Sequence, residues 1–121
     1  MPIKSILIVD DSATDRQYLS DLLSKNGFKV AIAQNAEEAL AKAKELRPDL
    51  VLMDVVMPGQ NGFQATRTLS KDDATKQIPI IICTSKGQDT DKAWGMKQGA
   101  RDYIVKPVST PELLAKISAL G

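Results

Sequence analysis

Four uninterrupted apolar runs constrain the fold more than any other feature of the chain: Ile6-Leu-Ile-Val9, Leu50-Val-Leu-Met53, Ile80-Ile-Ile-Cys83 and Tyr103-Ile-Val105. Runs this short and this rich in branched residues read as β-strands. Their lack of polar alternation means that both faces are covered, as in a parallel sheet with helices on either side. Each run stops at a residue able to do chemistry: Asp10 and Asp11, Asp54, Thr84 and Lys106. In a parallel sheet all strand ends of one sense lie on one edge. Positions scattered over most of the chain are therefore expected in one crevice.

Helix signals fill the gaps between the runs. Ser12-Ala-Thr-Asp15 is a helix start, followed by Leu19, Leu22 and Leu23 on one face and a stop at Gly27. Residues 28–33 form a second, less apolar strand. Asn35-Ala-Glu-Glu38 resembles a capping box ahead of Ala36, Ala39, Leu40 and Ala43, and Arg47-Pro48 ends that helix. Asn61-Gly62 opens a third helix, residues 70–77 read as a loop, and strand four covers 78–83. A fourth helix runs over about 89–98 to Gly99. Thr110-Pro111-Glu112 supplies a cap and an N1 proline for the fifth helix, which carries Leu113, Leu114 and Ile117. Five βα units with right-handed crossovers leave few arrangements. The strand order 2-1-3-4-5 keeps the most apolar strands, one, three and four, in the middle. It also sets strands one, three, four and five side by side, with the switch point between strands one and three, where Asp10, Asp11 and Asp54 meet. The fold expected is an α/β doubly wound (βα)5 sandwich of flavodoxin-like topology.

The 121 residues suit one domain, 1–121, with no linker, repeat or effector domain expected. At 43% hydrophobic and 26% charged the chain is neither disordered nor unusually polar, and a net charge of +1 gives no footprint for nucleic acid or a membrane surface. No signal peptide or membrane-length apolar run is read, and the single cysteine, Cys83, reads as a buried thiol of a reducing compartment, so a cytoplasmic location is expected. The chain has no histidine, which excludes imidazole acid/base chemistry and a Ser-His-Asp triad.

Asp10-Asp11 alone reads as readily as a turn or a cap. Asp54 has no ordinary turn residue around it, and Lys106 at the end of a buried strand needs an anionic partner. A salt bridge to an aspartate would satisfy Lys106 with or without chemistry. Two carboxylates about 4 Å apart repel by roughly 4 kcal/mol at an effective dielectric of 20. Protonation, Lys106 or a bound cation must relieve that repulsion. Hard oxygen donors suit Mg²⁺, which keeps several waters and accepts a phosphate oxygen. Asp54 beside such a site could act as a nucleophile toward phosphorus and form an acyl phosphate.

Taken together, Ile-Leu-Ile-Val-Asp10-Asp11-Ser, Leu-Met-Asp54-Val-Val-Met-Pro-Gly-x-x-Gly62, Thr84-Ser85 and Gly99-Ala-Arg-Asp-Tyr-Ile-Val-Lys106-Pro107 resemble the receiver domains of two-component response regulators over essentially the whole chain. The resemblance implies the CheY-like fold and a phosphorylation-dependent signalling switch rather than an enzyme in the ordinary sense. It implies Asp54 as phosphoacceptor, with Mg²⁺ held by Asp11, Asp54 and the Val56 carbonyl and Asp10 acting mainly through water. Thr84 and Lys106 would contact the phosphoryl group, Tyr103 would be the switch aromatic, and Lys106-Pro107 would be a cis peptide. Residues 61–67 and 90–103 are similar to the stand-alone receivers of type IV pilus chemosensory systems, the PilH-like twitching-motility proteins. Val56 and Lys86 depart from the best-known chemotaxis receiver at positions lining the path of hydrolytic water, while small Ser85 leaves phosphate access open.

The partners implied are a histidine kinase phosphodonor and a downstream protein bound by the face of helix 4, strand 5 and helix 5. The latter would use Trp94, Lys97, Arg101 and Tyr103. Trp94, beside Ala93 and Met96, reads equally as a boundary packing residue. A phosphate-sink role without a target is the alternative output. A dehalogenase-like phosphohydrolase would want a second aspartate where Val56 stands, and a flavin carrier would find its phosphate repelled by Asp10-Asp11. A monomer or weak dimer is expected.

Overall fold

The computed structural model describes residues 2–57 and 61–120; the Pro58-Gly59 part of the second motif lies outside them. Ten elements alternate strictly: β1 (Ser5–Val9), α1 (Ala13–Lys25), β2 (Lys29–Ala33), α2 (Ala36–Leu46), β3 (Leu50–Met53), α3 (Gly62–Lys71), β4 (Ile80–Thr84), α4 (Asp89–Lys97), β5 (Asp102–Val105) and α5 (Thr110–Leu120). The strands form one sheet in the order β2-β1-β3-β4-β5, and every neighbouring pair is parallel. This is the topology expected from the apolar runs.

Strand alternation divides the core. Ile6, Ile8, Leu50, Leu52, Ile81 and Ile104 point to one face and meet Leu19, Leu23, Leu113 and Ile117 of α1 and α5. Leu7, Val9, Val51 and Met53 point to the other face, against the alanines of α2 and Ala65 and Leu69 of α3. A third, smaller cluster of Val55, Ile82, Ala100 and Tyr103 extends that second face toward β5. The side chains of β1, β3 and β4 within these clusters are at most 2% exposed, so both sheet faces are covered. Each fully buried aliphatic side chain contributes about 1.5–3 kcal/mol.

The caps behave as local chemistry demands. Asp15 N donates to Ser12 Oγ at 3.3 Å, Glu38 N to Asn35 Oδ1 at 2.8 Å and Gln64 N to Asn61 Oδ1 at 3.0 Å. Arg47 ends α2 as a left-handed cap at φ 47, its N–H donating to Ala43 O at 3.1 Å, and Pro48 then prevents the helix from continuing. Gly27 at φ 88 and Gly99 at φ 113 end their helices as expected. Several boundaries differ from the sequence reading. The α3 helix runs on to Lys71, and β4 begins at Ile80 rather than at residue 78. The cap of α5 is Ser109, not Thr110: its Oγ accepts from Glu112 N at 3.4 Å, which moves Pro111 to the second helical position. A first-turn N–H has no helical partner, so proline loses nothing there.

Candidate functional site

The site begins where the strand ladders run past the strand ends. Asp10 N donates to Ala33 O at 3.0 Å, Asp54 N to Val9 O at 2.9 Å and Lys106 N to Thr84 O at 2.8 Å. Each reactive residue is thus fixed by a backbone bond to the neighbouring strand, while its side chain emerges at the sheet edge. Gly62 holds the other side of the exit from β3. A Cβ there would lie 2.1 Å from the Asp54 carbonyl oxygen, so only glycine lets α3 come this close.

The structure brings the carboxylates of Asp10, Asp11 and Asp54 together, with one oxygen of each within 4.8 Å of the others. Asp10 is 1% exposed and Asp54 6%, whereas Asp11 faces solvent. Lys106 Nζ lies among them, 2.6 Å from Asp10 Oδ2 and 3.3 Å from Asp54 Oδ2. The remaining oxygens are oriented by backbone: Ser12 N donates to Asp10 Oδ1 at 2.9 Å and Val56 N to Asp54 Oδ1 at 3.0 Å. Arg16 Nη1 fixes the Asp10 carbonyl at 2.8 Å. Thr84 is fully buried at the end of β4, where its Oγ1 accepts from Lys86 N at 3.5 Å.

A fourth carboxylate escaped the sequence reading. Asp15 Oδ2 lies 2.8 Å from Lys106 Nζ. At the third position of α1, Asp15 was already accounted for as part of a helix start, so nothing local pointed to a lysine 91 positions away.

Burial pushes the Asp10 carboxyl above its ordinary range, with the charge of Asp54 adding to it, against the opposing pull of Lys106 and the Ser12 N–H. For Lys106 burial alone would lower the ammonium. The hydrogen bonds to Asp10 and Asp15 and the charges of Asp54 and Asp10 outweigh it and hold the group well above its usual value. Lys106 is therefore a permanent cation. At 4.8 Å and an effective dielectric of 20, each carboxylate pair still repels by about 3–4 kcal/mol. One ammonium cannot offset four carboxylates. Hard oxygen donors, an excess of negative charge and one solvent-facing member form a donor set that fits Mg²⁺.

Residues 6–118 match the model of the response regulator receiver domain. The chain belongs to the response regulator receiver family. It is 55% identical to protein PilH of Pseudomonas aeruginosa over 115 residues, covering 95% of both chains. It is 41% identical to the phosphate regulon transcriptional regulatory protein PhoB of the same organism, covering 97% of this chain but 51% of PhoB, about half its length. Among solved structures, the chemotaxis protein CheY4 of Vibrio cholerae aligns with a TM-score of 0.91 at 33% identity, covering 98% of this chain and 99% of that one. A putative response regulator of Chloroflexus aurantiacus aligns with a TM-score of 0.92 at 32% identity, over 99% and 98% of the two chains.

As a receiver the chain is a phosphorylation-dependent switch of two-component signalling, of a family that binds Mg²⁺ at its acidic pocket and interacts with histidine kinases and downstream targets. No helix among the described residues is long and apolar enough to cross a membrane. The receiver's Tyr103 is turned inward, 8% exposed, with its hydroxyl donating to Lys86 O at 2.6 Å. Burial, then the charges of Asp91 and Asp54, push that phenol up to about 12. Lys86 thus joins Thr84 to Tyr103 through its own backbone. Of the residues expected on a partner face, Trp94 is 49% exposed and Lys97 and Arg101 are exposed, with Lys97 Nζ 6.0 Å from the Trp94 ring centroid. Tyr103 lies beneath that face rather than on it. Val56 and Lys86 are both exposed at the rim of the site, and Ser85 with them. The Lys106-Pro107 bond is cis.

Proposed function

We propose that Asp54 is the phosphoacceptor of this receiver domain, acting in the cytoplasm. The observation that carries this is the set of three carboxylates within 4.8 Å at the ends of β1 and β3, with Lys106 bridging Asp10 and Asp54. One carboxylate oxygen of Asp54 attacks the phosphorus of a phosphohistidine or small phosphodonor. The new O–P bond gives an acyl phosphate, the bond from phosphorus to the donor breaks, and its electron pair leaves with the donor. The Val56 N–H presets the rotamer of the attacking carboxylate. Lys106 meets charge on one equatorial oxygen of the transferred group, and Thr84 donates its hydroxyl to another. Asp11, Asp54 and the Val56 carbonyl would hold Mg²⁺, with Asp10 acting through water; once bound, the ion supplies positive charge against the equatorial oxygens.

Thr84 Oγ1 accepts only a long bond from Lys86 N, so the side chain is free to move and donate its own hydroxyl hydrogen to a phosphoryl oxygen. Lys86 O holds Tyr103, and movement of Thr84 is felt there. The output is the surface over α4, β5 and α5, with Trp94, Lys97 and Arg101 exposed to a protein partner. Likeness to PilH along 95% of both chains supports a place in a type IV pilus chemosensory system.

Incubation with acetyl phosphate and Mg²⁺, followed by intact-mass spectrometry, tests the assignment. A base-labile phosphoryl adduct is expected on the wild type and none on Asp54→Asn. An adduct that survives that substitution, or resists mild base, overturns it. Mg²⁺ alone should raise the melting temperature by relieving carboxylate repulsion.

A further inference from the structure

The ammonium of Lys106 has three N–H donors, and all three have carboxylate acceptors: Asp10 at 2.6 Å, Asp15 at 2.8 Å and Asp54 at 3.3 Å. Phosphorylation of Asp54 frees the N–H aimed at its carboxylate for one phosphoryl oxygen, but a second phosphoryl oxygen meets a cation with no other donor left. One carboxylate must let go. Asp10 is 1% exposed and its other oxygen is fixed by Ser12 N, so its release would leave a buried charge unpaired. Asp54 carries the group itself. Asp15 differs from both. Its side chain is 44% exposed, and its carboxylate makes no other hydrogen bond among the described residues. It also lines a recess of about 690 Å³ with Thr14, Tyr18 and Val108, where water can receive it.

We propose that Asp15 is a positioning residue that competes with the incoming phosphoryl group for Lys106, holding the third N–H of the ammonium at rest and yielding it on phosphorylation. Resting on the assignment of Asp54 as phosphoacceptor, this gives α1 a part in setting how fast and how far the receiver is phosphorylated. Asp15 takes no part in the bonds that form and break. A half-exposed ion pair of this kind shifts an equilibrium by a few-fold, up to about tenfold.

The same pair must be released without loss of the helix. The backbone N–H of Asp15, not its carboxylate, caps α1 through Ser12 Oγ, so Asp15→Asn keeps that bond. The substitution loses only the favourable charge near the helix N-terminus and the pair with Lys106. A merely structural role therefore lowers stability and leaves phosphorylation unchanged or slower. Competition predicts opposite directions: slightly lower stability and faster phosphorylation.

Phosphorylation time courses with acetyl phosphate and Mg²⁺, read by intact mass, test this on wild type, Asp15→Asn and Asp15→Glu. The apparent second-order rate constant should rise about three- to tenfold in Asp15→Asn, with a higher plateau at limiting donor, and return toward wild type in Asp15→Glu. A wild type that is labelled while Asp15→Asn is no faster overturns the competition and leaves the Asp54 assignment standing. A wild type that takes no phosphoryl group overturns both. A double-mutant cycle in chemical denaturation with Lys106→Met reads the pair with no phosphodonor present. Coupling of a few-fold in the unfolding constant is expected, and strict additivity overturns the contact on which the proposal depends.

Discussion

Replacing Gly62 by alanine reverses the sign that helix propensity assigns to the change. In a helix interior alanine is worth about 0.5–1 kcal/mol more than glycine, and Gly62 opens α3. Here the new Cβ would sit 2.1 Å from Asp54 O and 2.7 Å from Val55 Cα, both backbone atoms that no rotamer change can move aside. Ordinary contact begins at 3.4 Å, so α3 and the exit of β3 must part by about 1.3 Å. Overpacking of this kind costs about 1–3 kcal/mol, occasionally more. The Asp54 N–H bond to Val9 O and the Gly62 N–H bond to Val55 O resist the movement from either side.

The expected net effect is a loss of about 1–2 kcal/mol, read as an earlier urea midpoint with unchanged slope. The displaced backbone is that of the proposed phosphoacceptor, and a misplacement near 1 Å can cost about 100-fold in rate. Phosphorylation by acetyl phosphate should fall by at least tenfold, well beyond what the stability loss accounts for. A Gly62→Ala protein that is as stable as wild type and takes phosphate at the same rate would refute the close approach as the reason for glycine here.

Three other outcomes follow from the same coordinates. Gly95→Ala should loosen the inward seat of Tyr103, because a Cβ there meets Ile82 Cδ1 at 2.6 Å and the Tyr103 ring at 3.1 Å; a shifted ring resonance of Tyr103 in NMR checks this, and an unchanged one contradicts it. Burial pushes the Cys83 thiol up to about 12, so the native protein should not react with a thiol-directed disulfide reagent at neutral pH until it unfolds; prompt native labelling would contradict the burial. Asp49 accepts from Lys4 N at 2.9 Å and Ser5 N at 3.0 Å, bonds that hold its carboxyl below the ordinary aspartate value. Its contribution to stability is present above that value and is lost as the pH falls through the lower folded one. The stability gap between wild type and Asp49→Asn should therefore close in acid; a gap that is constant down to the acid transition would count against the bonds.

How much of this was legible beforehand depended on the range of the interaction involved. The strands and caps were readable because their causes are local: an apolar run, or a side chain three residues before the N–H it accepts. The pocket was readable for a related reason. Parallel strands put all their exits on one edge, so residue types at strand ends become neighbours whatever their separation in sequence. The cap of α5 slipped by one residue because Ser109 and Thr110 are both competent caps, and a proline fits either of the first two helical positions. The α4 stripe of Ala93, Trp94 and Met96 reads in part like a core face. Yet α4 buries only Gly95, whose missing side chain lets the helix lie close over Ile82 and Tyr103.

Asp15 and Lys86 were illegible for a different reason. Lys86 acts through its backbone N–H and C=O, which every residue but proline carries, so the sequence holds no mark of the link between Thr84 and Tyr103. Asp15 has a sufficient local explanation in the first turn of α1, and a residue already explained does not ask for a partner. Its contact arises only because α1 returns across the end of β1 to the place where β5 delivers Lys106. The same geometry separates two kinds of carboxylate at this edge. Asp10 and Asp54 are fixed by strand ladders and backbone donors on both sides, so their positions are part of the sheet. Asp15 is attached to the ammonium alone and to a solvated helix turn, so it is the member of the cluster that can be exchanged for a phosphoryl oxygen without disturbing the fold.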